Sequence, residues 1–344
     1  MRAAGREAGG VGDELVGGYD LVIFDLDGVV YLIDKPIPGA AEAIERLRAD
    51  GVHVAYATNN ASRRAGDVAA LLTGMGVPAT ADEVLNSAGA AAAMLARRLP
   101  TGAPVLVVGA EALRAEVRDA GLAPVSTFED KPAAVVQGYG PDVDWRILAE
   151  AALSVRAGAT WVATNTDRTL PSPRGPLPGN GSLVSVLRTA LDREPDLVVG
   201  KPEPALFTTA ASLSGARRPL VVGDRLDTDI QGAVGAGMDC LLVLTGVSGP
   251  ADVLAAPPER RPTFVAADLG GLFRPGGDAR LPLAESEAGG WRVTRNGDRA
   301  TLDGDGDPVV ALRLLCAVTW NGVPVSGLEP ASAAAAKLLE SWRR

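Results

Sequence analysis

The chain has 344 residues, 47% hydrophobic and 22% charged, with 42 acidic against 33 basic side chains and a net charge of −9. That is the balance of a globular protein with room for two domains and an appendage, and its acidity argues against nucleic acid or an anionic membrane as partner. Two cysteines, Cys240 and Cys316, cannot build a disulfide framework, no run approaches the ~18 apolar residues of a membrane span, and the N-terminus has no signal-like apolar block, so a cytoplasmic location is expected.

Residues 1–18 mix glycine with charge and read as a disordered start. Leu21-Val22-Ile23-Phe24 is an unbroken apolar run, the pattern of a strand covered on both faces, and it ends in Asp25-Leu26-Asp27-Gly28. A helix is predicted over 39–50, with Ala40, Ile44 and Leu47 on one face and Gly51 closing it. A second strand over 52–57 contains His53, read as structural, and ends in Thr58-Asn59-Asn60-Ala61-Ser62 before a helix over 63–75. This tip can offer backbone N–H groups to an anion.

Residues 83–178 continue the α/β alternation without acids at strand ends and read as a cap domain inserted into a core of 19–82 and 179–272. The insertion closes on Thr164-Asn165-Thr166-Asp167-Arg168 and a proline-rich loop. The core then resumes with a helix starting at Ser182, a short strand over 197–202 tipped by Lys201, a helix over 205–213, and a buried strand ending in Gly223-Asp224 with Asp229 beyond it. A closing strand spans 240–244. Residues 273–288 read as a linker and 289–344 as an α+β appendage, with strands over 291–295 and 309–320 and a helix over 331–342. Asp303-Gly304-Asp305-Gly306-Asp307 fails as an EF-hand, because Pro308 and Leu314 occupy its sixth and twelfth positions, and reads as a polar hairpin turn.

The fold class is therefore α/β, a doubly wound parallel-sheet, Rossmann-like core with an inserted α/β cap. In such a sheet all strand tips face one edge, where Asp25, Asp27, Thr58, Lys201, Asp224 and Asp229 converge. Each type has work in phosphoryl transfer. Asp25 can attack phosphorus, Asp27 can protonate the leaving alkoxide, and Mg²⁺ held by Asp25 and Asp224 can reconcile carboxylate with phosphate. Lys201 and the Thr58 hydroxyl can hold the phosphoryl oxygens.

In Asp25-Leu26-Asp27-Gly28, Thr58-Asn59-Asn60, Lys201 and Gly223-Asp224 with Asp229, the chain resembles the phosphatases of the haloacid dehalogenase superfamily. Its large insertion is similar to the α/β cap of the p-nitrophenylphosphatase-like branch. The resemblance covers roughly 19–272. It implies Asp25 as nucleophile, Asp27 as acid/base whose main-chain carbonyl also binds Mg²⁺, Asp224 as a further metal ligand and Asp229 as an acid steadying the metal waters or Lys201. Thr58 with the Asn59 and Asn60 main chain would hold phosphate. Asn165, Asp167 and Arg168 are candidate cap contacts. The implied substrate is a small phosphate monoester, glycerol phosphate or a related polyol or sugar phosphate, with a nucleotide or pyridoxal phosphate as alternatives. Self-association through the cap or the appendage is a further expectation.

Two other classes compete. A regulatory phospho-acceptor also gathers Asp, Thr and Lys around Mg²⁺, but carries its acid pair apart from its acceptor strand. A nucleotide-cofactor enzyme would need a Gly-x-Gly-x-x-Gly after the first strand or a P-loop, and Gly200-Lys201-Pro202 is neither.

Overall fold

The computed structural model describes residues 14–33, 35–170 and 172–342. The core sheet is six-stranded and parallel, built from β1 (Leu21–Phe24), β2 (His53–Thr58) and β3 (Val84–Asn86). On the other side of β1 it continues through strands over Pro219–Gly223, Asp239–Val243 and Phe264–Ala266. Successive β1 residues alternate between two apolar clusters. Val22 and Phe24 meet helices α1 (Ala40–Ala49) and α2 (Ala65–Gly74), while Leu21 and Ile23 meet the opposite layer containing Leu206, Phe207 and Ala233. Burial on both faces explains the unbroken apolar run of the sequence. His53 begins β2 at the far edge of the sheet and is exposed.

The second domain starts with α3 (Ser87–Ala96). Its parallel sheet contains β4 (Pro104–Val108), β5 (Ala123–Val125), β6 (Ala134–Gln137) and β7 (Thr160–Ala163), interleaved with α4 (Glu111–Asp119) and α5 (Trp145–Arg156). α3 and α4 cover one face. On the other, α5 is joined by α6 (Asn180–Leu191), whose Val184 and Leu187 pack with Leu148 and Trp161.

Here the structure differs from the sequence reading. α6 and β8 (Leu197–Val198), both expected in the core, belong to the second domain, β8 pairing with β7 at the edge of its sheet, whereas β3, expected within the insertion, is a core strand paired with β2. The two residues of β8 are only half-buried, as suits a strand at a sheet edge and not one covered on both faces. The crossover to the core therefore falls between Val198 and Lys201. The core is completed by α7 (Ala205–Ser214), β9 (Pro219–Gly223), α8 (Gln231–Gly235), β10 (Asp239–Val243), α9 (Pro250–Leu254) and β11 (Phe264–Ala266), giving the strand order β11-β10-β9-β1-β2-β3.

Further expectations are corrected. Of the N-terminal 1–18, residues 1–13 lie outside the described residues, but Leu15–Gly18 is a short 3-10 helix with Leu15 and Val16 buried. The stretch 273–288 is not a free linker: Leu281 is buried, its N–H bonds Thr263 O at 2.9 Å, and the Leu283 N–H bonds Arg313 O at 3.2 Å. The appendage is a four-stranded sheet of β12 (Glu287–Ala288), β13 (Trp291–Asn296), β14 (Arg299–Gly304) and β15 (Leu328–Pro330), with α10 (Pro308–Thr319) and α11 (Ala333–Ser341).

α10 was expected as a strand. It is a helix buried nearly all round, so its apolar residues show no period, and its start is set by Asp307, whose side chain accepts the Val309 N–H, and by Pro308 in the first turn. Residues 303–307 thus form a strand-to-helix turn, and the hairpin lies earlier, between β13 and β14. α10 joins the appendage to the core: Leu312, Leu315 and Cys316 share one cluster with Val253, Leu254 and Val265, and Trp320 Nε1 donates to Val253 O at 2.9 Å. Both cysteines are buried and unpaired. Among the described residues no helix is long and apolar enough to cross a membrane.

Candidate active site

The site is built at the carboxyl edge of the core sheet. Beyond β1 the chain turns sharply: Val30 and Tyr31 N–H both donate to Leu26 O, and Gly28 N–H donates to Tyr31 O at 2.7 Å. Gly28 has φ +84°, and a Cβ there would lie 2.6 Å from Asp224 Oδ2, so only glycine fits. This turn leaves Asp25 8% exposed at the strand tip and Asp27 partly exposed beyond it.

Asp224 follows β9, the neighbour of β1, and Asp229 sits one turn further on; both are fully buried. Gly223 lets Asp229 close in, since a Cβ there would lie 2.2 Å from that of Asp229. Lys201 arrives on the crossover from the second domain and not on a core strand tip. Its ammonium touches Asp25 Oδ1, lies 2.7 Å from Asp229 Oδ1 and donates to Ala57 O at 3.0 Å. Asp25, Asp224 and Asp229 each offer an oxygen within 4.8 Å of the others.

Electrostatically the cluster is short of positive charge. Three buried carboxylates face Lys201, the ammonium that contacts two of them, so with all three ionised the group is two charges short. Burial, with repulsion from Asp229 and Asp224, pushes Asp25 well above the usual carboxylate range even against Lys201. Burial and Asp229 push Asp224 up to about 7. Burial works to lower Lys201, but Asp229 and Asp25 outweigh it and keep the amine protonated. Asp27 is raised by burial, with Lys201 and Arg63 pulling the other way.

The donor set fits a hard divalent cation. Among the described residues Asp224 Oδ1 is buried with no hydrogen-bond partner, a costly state for a carboxylate oxygen unless a cation takes it up. Asp229 has both oxygens engaged, by Lys201 and by the Arg225 N–H at 3.1 Å, which makes it a partner of the lysine more than a ligand.

At the tip of β2, Thr58 is 3% exposed and its Oγ1 accepts the Asn60 N–H at 3.1 Å, leaving its proton to donate. The Asn59 side chain and the Asn60 Oδ1 are engaged by the protein. Asn60 Oδ1 accepts from Ser62, whereas Asn59 accepts the Lys201 N–H at 2.7 Å and donates to Lys201 O and to Asp167 at 3.1 Å. Of the three cap candidates, Asn165 donates to Asn59 O at 2.7 Å and Asp167 meets Asn59 as described. Arg168 is exposed, and its bonds to Gly179 and Ser182 run through its carbonyl. Asn180, two residues before the expected helix start at Ser182, is the first residue of α6; it is buried and donates to Asn165 O at 2.7 Å, securing the cap side of this seam.

The sequence reading passed over the loop after β10. Thr245 Oγ1 donates to Gly28 O at 2.6 Å, Val247 N–H to Asp224 Oδ2 at 2.7 Å, and Ser248 N–H to Asp224 O at 3.0 Å. Only a general signal pointed there: β10 adjoins β9, so its tip opens on the same edge.

A family model described as haloacid dehalogenase-like hydrolase matches residues 22–123, and one described as HAD-hydrolase-like matches 198–272. A model for a GCN5-related N-acetyltransferase like domain matches 288–343, the appendage. The D-glycerol 3-phosphate phosphatase of Mycobacterium tuberculosis is 49% identical over 289 residues, covering 84% of this chain and 80% of that protein. A solved glycerol phosphate phosphatase of the same organism, in complex with magnesium, superposes with TM-score 0.88 at 43% identity, covering 96% of this chain and 99% of that one. The 4-nitrophenylphosphatase of Thermotoga maritima gives TM-score 0.70 at 32% identity over 75% of this chain and 97% of its own.

Proposed function

This chain belongs to the haloacid dehalogenase-like hydrolases and is a phosphoric monoester hydrolase, and from that premise we propose that it hydrolyses glycerol 3-phosphate with Mg²⁺ through an aspartyl-phosphate on Asp25. The observation that carries this reading is the buried group of Asp25, Asp224 and Asp229 around Lys201, two charges short when all three are ionised, with Asp224 Oδ1 lacking a partner among the described residues. The glycerol phosphate specificity rests on the mycobacterial relatives.

Asp25 and Asp224, with the Asp27 main-chain carbonyl, would hold Mg²⁺, which when bound neutralises negative charge between the nucleophile and the phosphoryl oxygens. The Asp25 carboxylate attacks phosphorus in line with the ester oxygen. Lys201, kept charged by Asp229, and the Thr58 hydroxyl hold the non-bridging oxygens as the bond breaks. Asp27, raised by burial, donates its proton to the departing alkoxide and then takes one from the water that cleaves the acyl-phosphate. The Asn59–Asp167 and Asn165–Asn59 bonds hold the second domain over the site, limiting bulk water and large substrates.

The test is a panel of small phosphate esters, including glycerol 3-phosphate, sugar phosphates, a nucleotide and pyridoxal phosphate, assayed with Mg²⁺ and with a chelator. Glycerol 3-phosphate is expected to give the highest kcat/KM, lost on chelation and in Asp25→Asn. Turnover that persists in Asp25→Asn overturns the mechanism, and a clear preference for another ester overturns the substrate.

A further inference from the structure

We propose that the loop Thr245–Ser248 is a bracket that sets the spacing of the metal-binding carboxylates, with Thr245 and Ser248 as positioning residues for Asp224 and for the turn that follows Asp25. The inference rests on the Mg²⁺ reading above.

The ligand-bearing tips belong to adjacent strands, β1 and β9, whose pairing ends at Phe24 and Val222 with one last bond, from the Asp25 N–H to Val222 O at 2.8 Å, and fixes nothing beyond it on the Asp27 and Asp224 side. Beyond the ladder, both tips are loops. The bracket comes from β10, which pairs with β9 and does not touch β1 in the sheet. It reaches across the end of β9 to the turn after β1, where Thr245 Oγ1 donates to Gly28 O at 2.6 Å. On the way it grips Asp224 twice, through Val247 N–H on Oδ2 and Ser248 N–H on the main-chain carbonyl. Ser248 Oγ then accepts the Leu226 N–H at 3.0 Å, tying down the segment that carries Asp229.

Sterics enforce the same arrangement. A Cβ on Gly246 would lie 1.9 Å from Asp224 Oδ2, and one on Gly28 would lie 2.6 Å from that atom and 3.1 Å from Gly246 Cα. Two glycines and the carboxylate are therefore stacked in contact. One oxygen of Asp224 is committed to Val247, so the other, without a partner among the described residues, is the one left for a cation. Satisfying buried backbone would account for the Ser248 bonds. The Thr245 hydroxyl likewise satisfies the carbonyl of buried Gly28, but that carbonyl stands one residue beyond Asp27, so the same bond fastens the turn after β1 to the loop that grips Asp224.

The test titrates the metal-free protein with Mg²⁺ alone by calorimetry, for the unmodified protein and for Thr245→Val, Thr245→Ser and Ser248→Ala. Thermal unfolding in chelator runs in parallel. Thr245→Val, which keeps the shape and loses the hydroxyl, is expected to weaken Mg²⁺ binding roughly tenfold, Ser248→Ala to act in the same direction, and Thr245→Ser to restore binding. Unfolding temperatures in chelator should differ little between Thr245→Val and Thr245→Ser. Mg²⁺ affinity within twofold of the unmodified protein in both Thr245→Val and Ser248→Ala overturns the inference, as does a loss of metal-free stability without loss of affinity. If Thr245→Val does not fold, Ser248→Ala alone decides by the same twofold criterion. An unmodified protein that takes up no Mg²⁺ overturns instead the reading on which the bracket rests.

Discussion

Asp229 Oδ1 lies 2.7 Å from the Lys201 ammonium, with both side chains almost wholly buried and the same ammonium in contact with Asp25. The lysine is thus shared between a carboxylate whose other oxygen is anchored by main chain and one at a strand tip. It stays charged because both acids need it, and its remaining main-chain bond to Ala57 aims it across the site.

Removing the amine leaves three acids to repel one another in a buried space. Lys201→Met is expected to cost about 3–5 kcal/mol of metal-free stability, since breaking a buried ion pair strands the uncompensated partner. Added Mg²⁺ should recover more stability in this variant than in the unmodified protein, because the cation then supplies the neutralising charge. Urea unfolding with Mg²⁺ and with chelator measures both; equal Mg²⁺ effects on the two proteins count against the charge deficit.

Asp27 carries the proton needed by a poor leaving group. Asp27→Asn is expected to lower kcat/KM for glycerol 3-phosphate on the order of 10²–10⁴-fold and to affect p-nitrophenyl phosphate much less, because nitrophenolate departs without protonation. Burial favours the protonated form of Asp27, so kcat/KM on the alkyl ester should fall as pH rises through its raised pKa. Rate profiles on the two esters check this, and equal losses on both contradict the acid role.

Asp224 gives a pH signature in metal uptake. Its carboxyl is pushed up to about 7 in the fold, whereas an unfolded aspartate titrates near ~3.9. The folded form thus binds the proton more tightly. Its stabilising contribution in metal-free protein is present at acid pH and declines as pH rises through about 7. Mg²⁺ competes with that proton, so its affinity should climb over the same interval. Unfolding in chelator and Mg²⁺ calorimetry between pH 5.5 and 8 test the two limbs; a flat affinity across the interval contradicts the assignment.

Much of the site was legible because buried parallel strands write themselves as apolar runs and their tips as abrupt polar residues: Asp25, Thr58 and Asp224 stand at the ends of β1, β2 and β9. Lys201 was legible as a residue but not as to route, since Leu197–Val198 reads equally well as a core strand. Thr245 to Ser248 escaped notice because two of their bonds to Asp224 are main-chain and the glycines act by what they lack. α10 was misread because a helix buried all round has no polar face to reveal its period.

The crossover into Lys201 has a mechanical corollary. Val198 is paired into the second sheet, the Gly200 N–H bonds Thr164 O at 2.7 Å, and the next residue carries the ammonium at the nucleophile. Lys201 itself is fastened to the core, its N–H and carbonyl both bonded by the Asn59 side chain, so the chain passes from one domain to the other within one peptide of the ammonium, and the seating of the roof and the register of that charge share a single fastening.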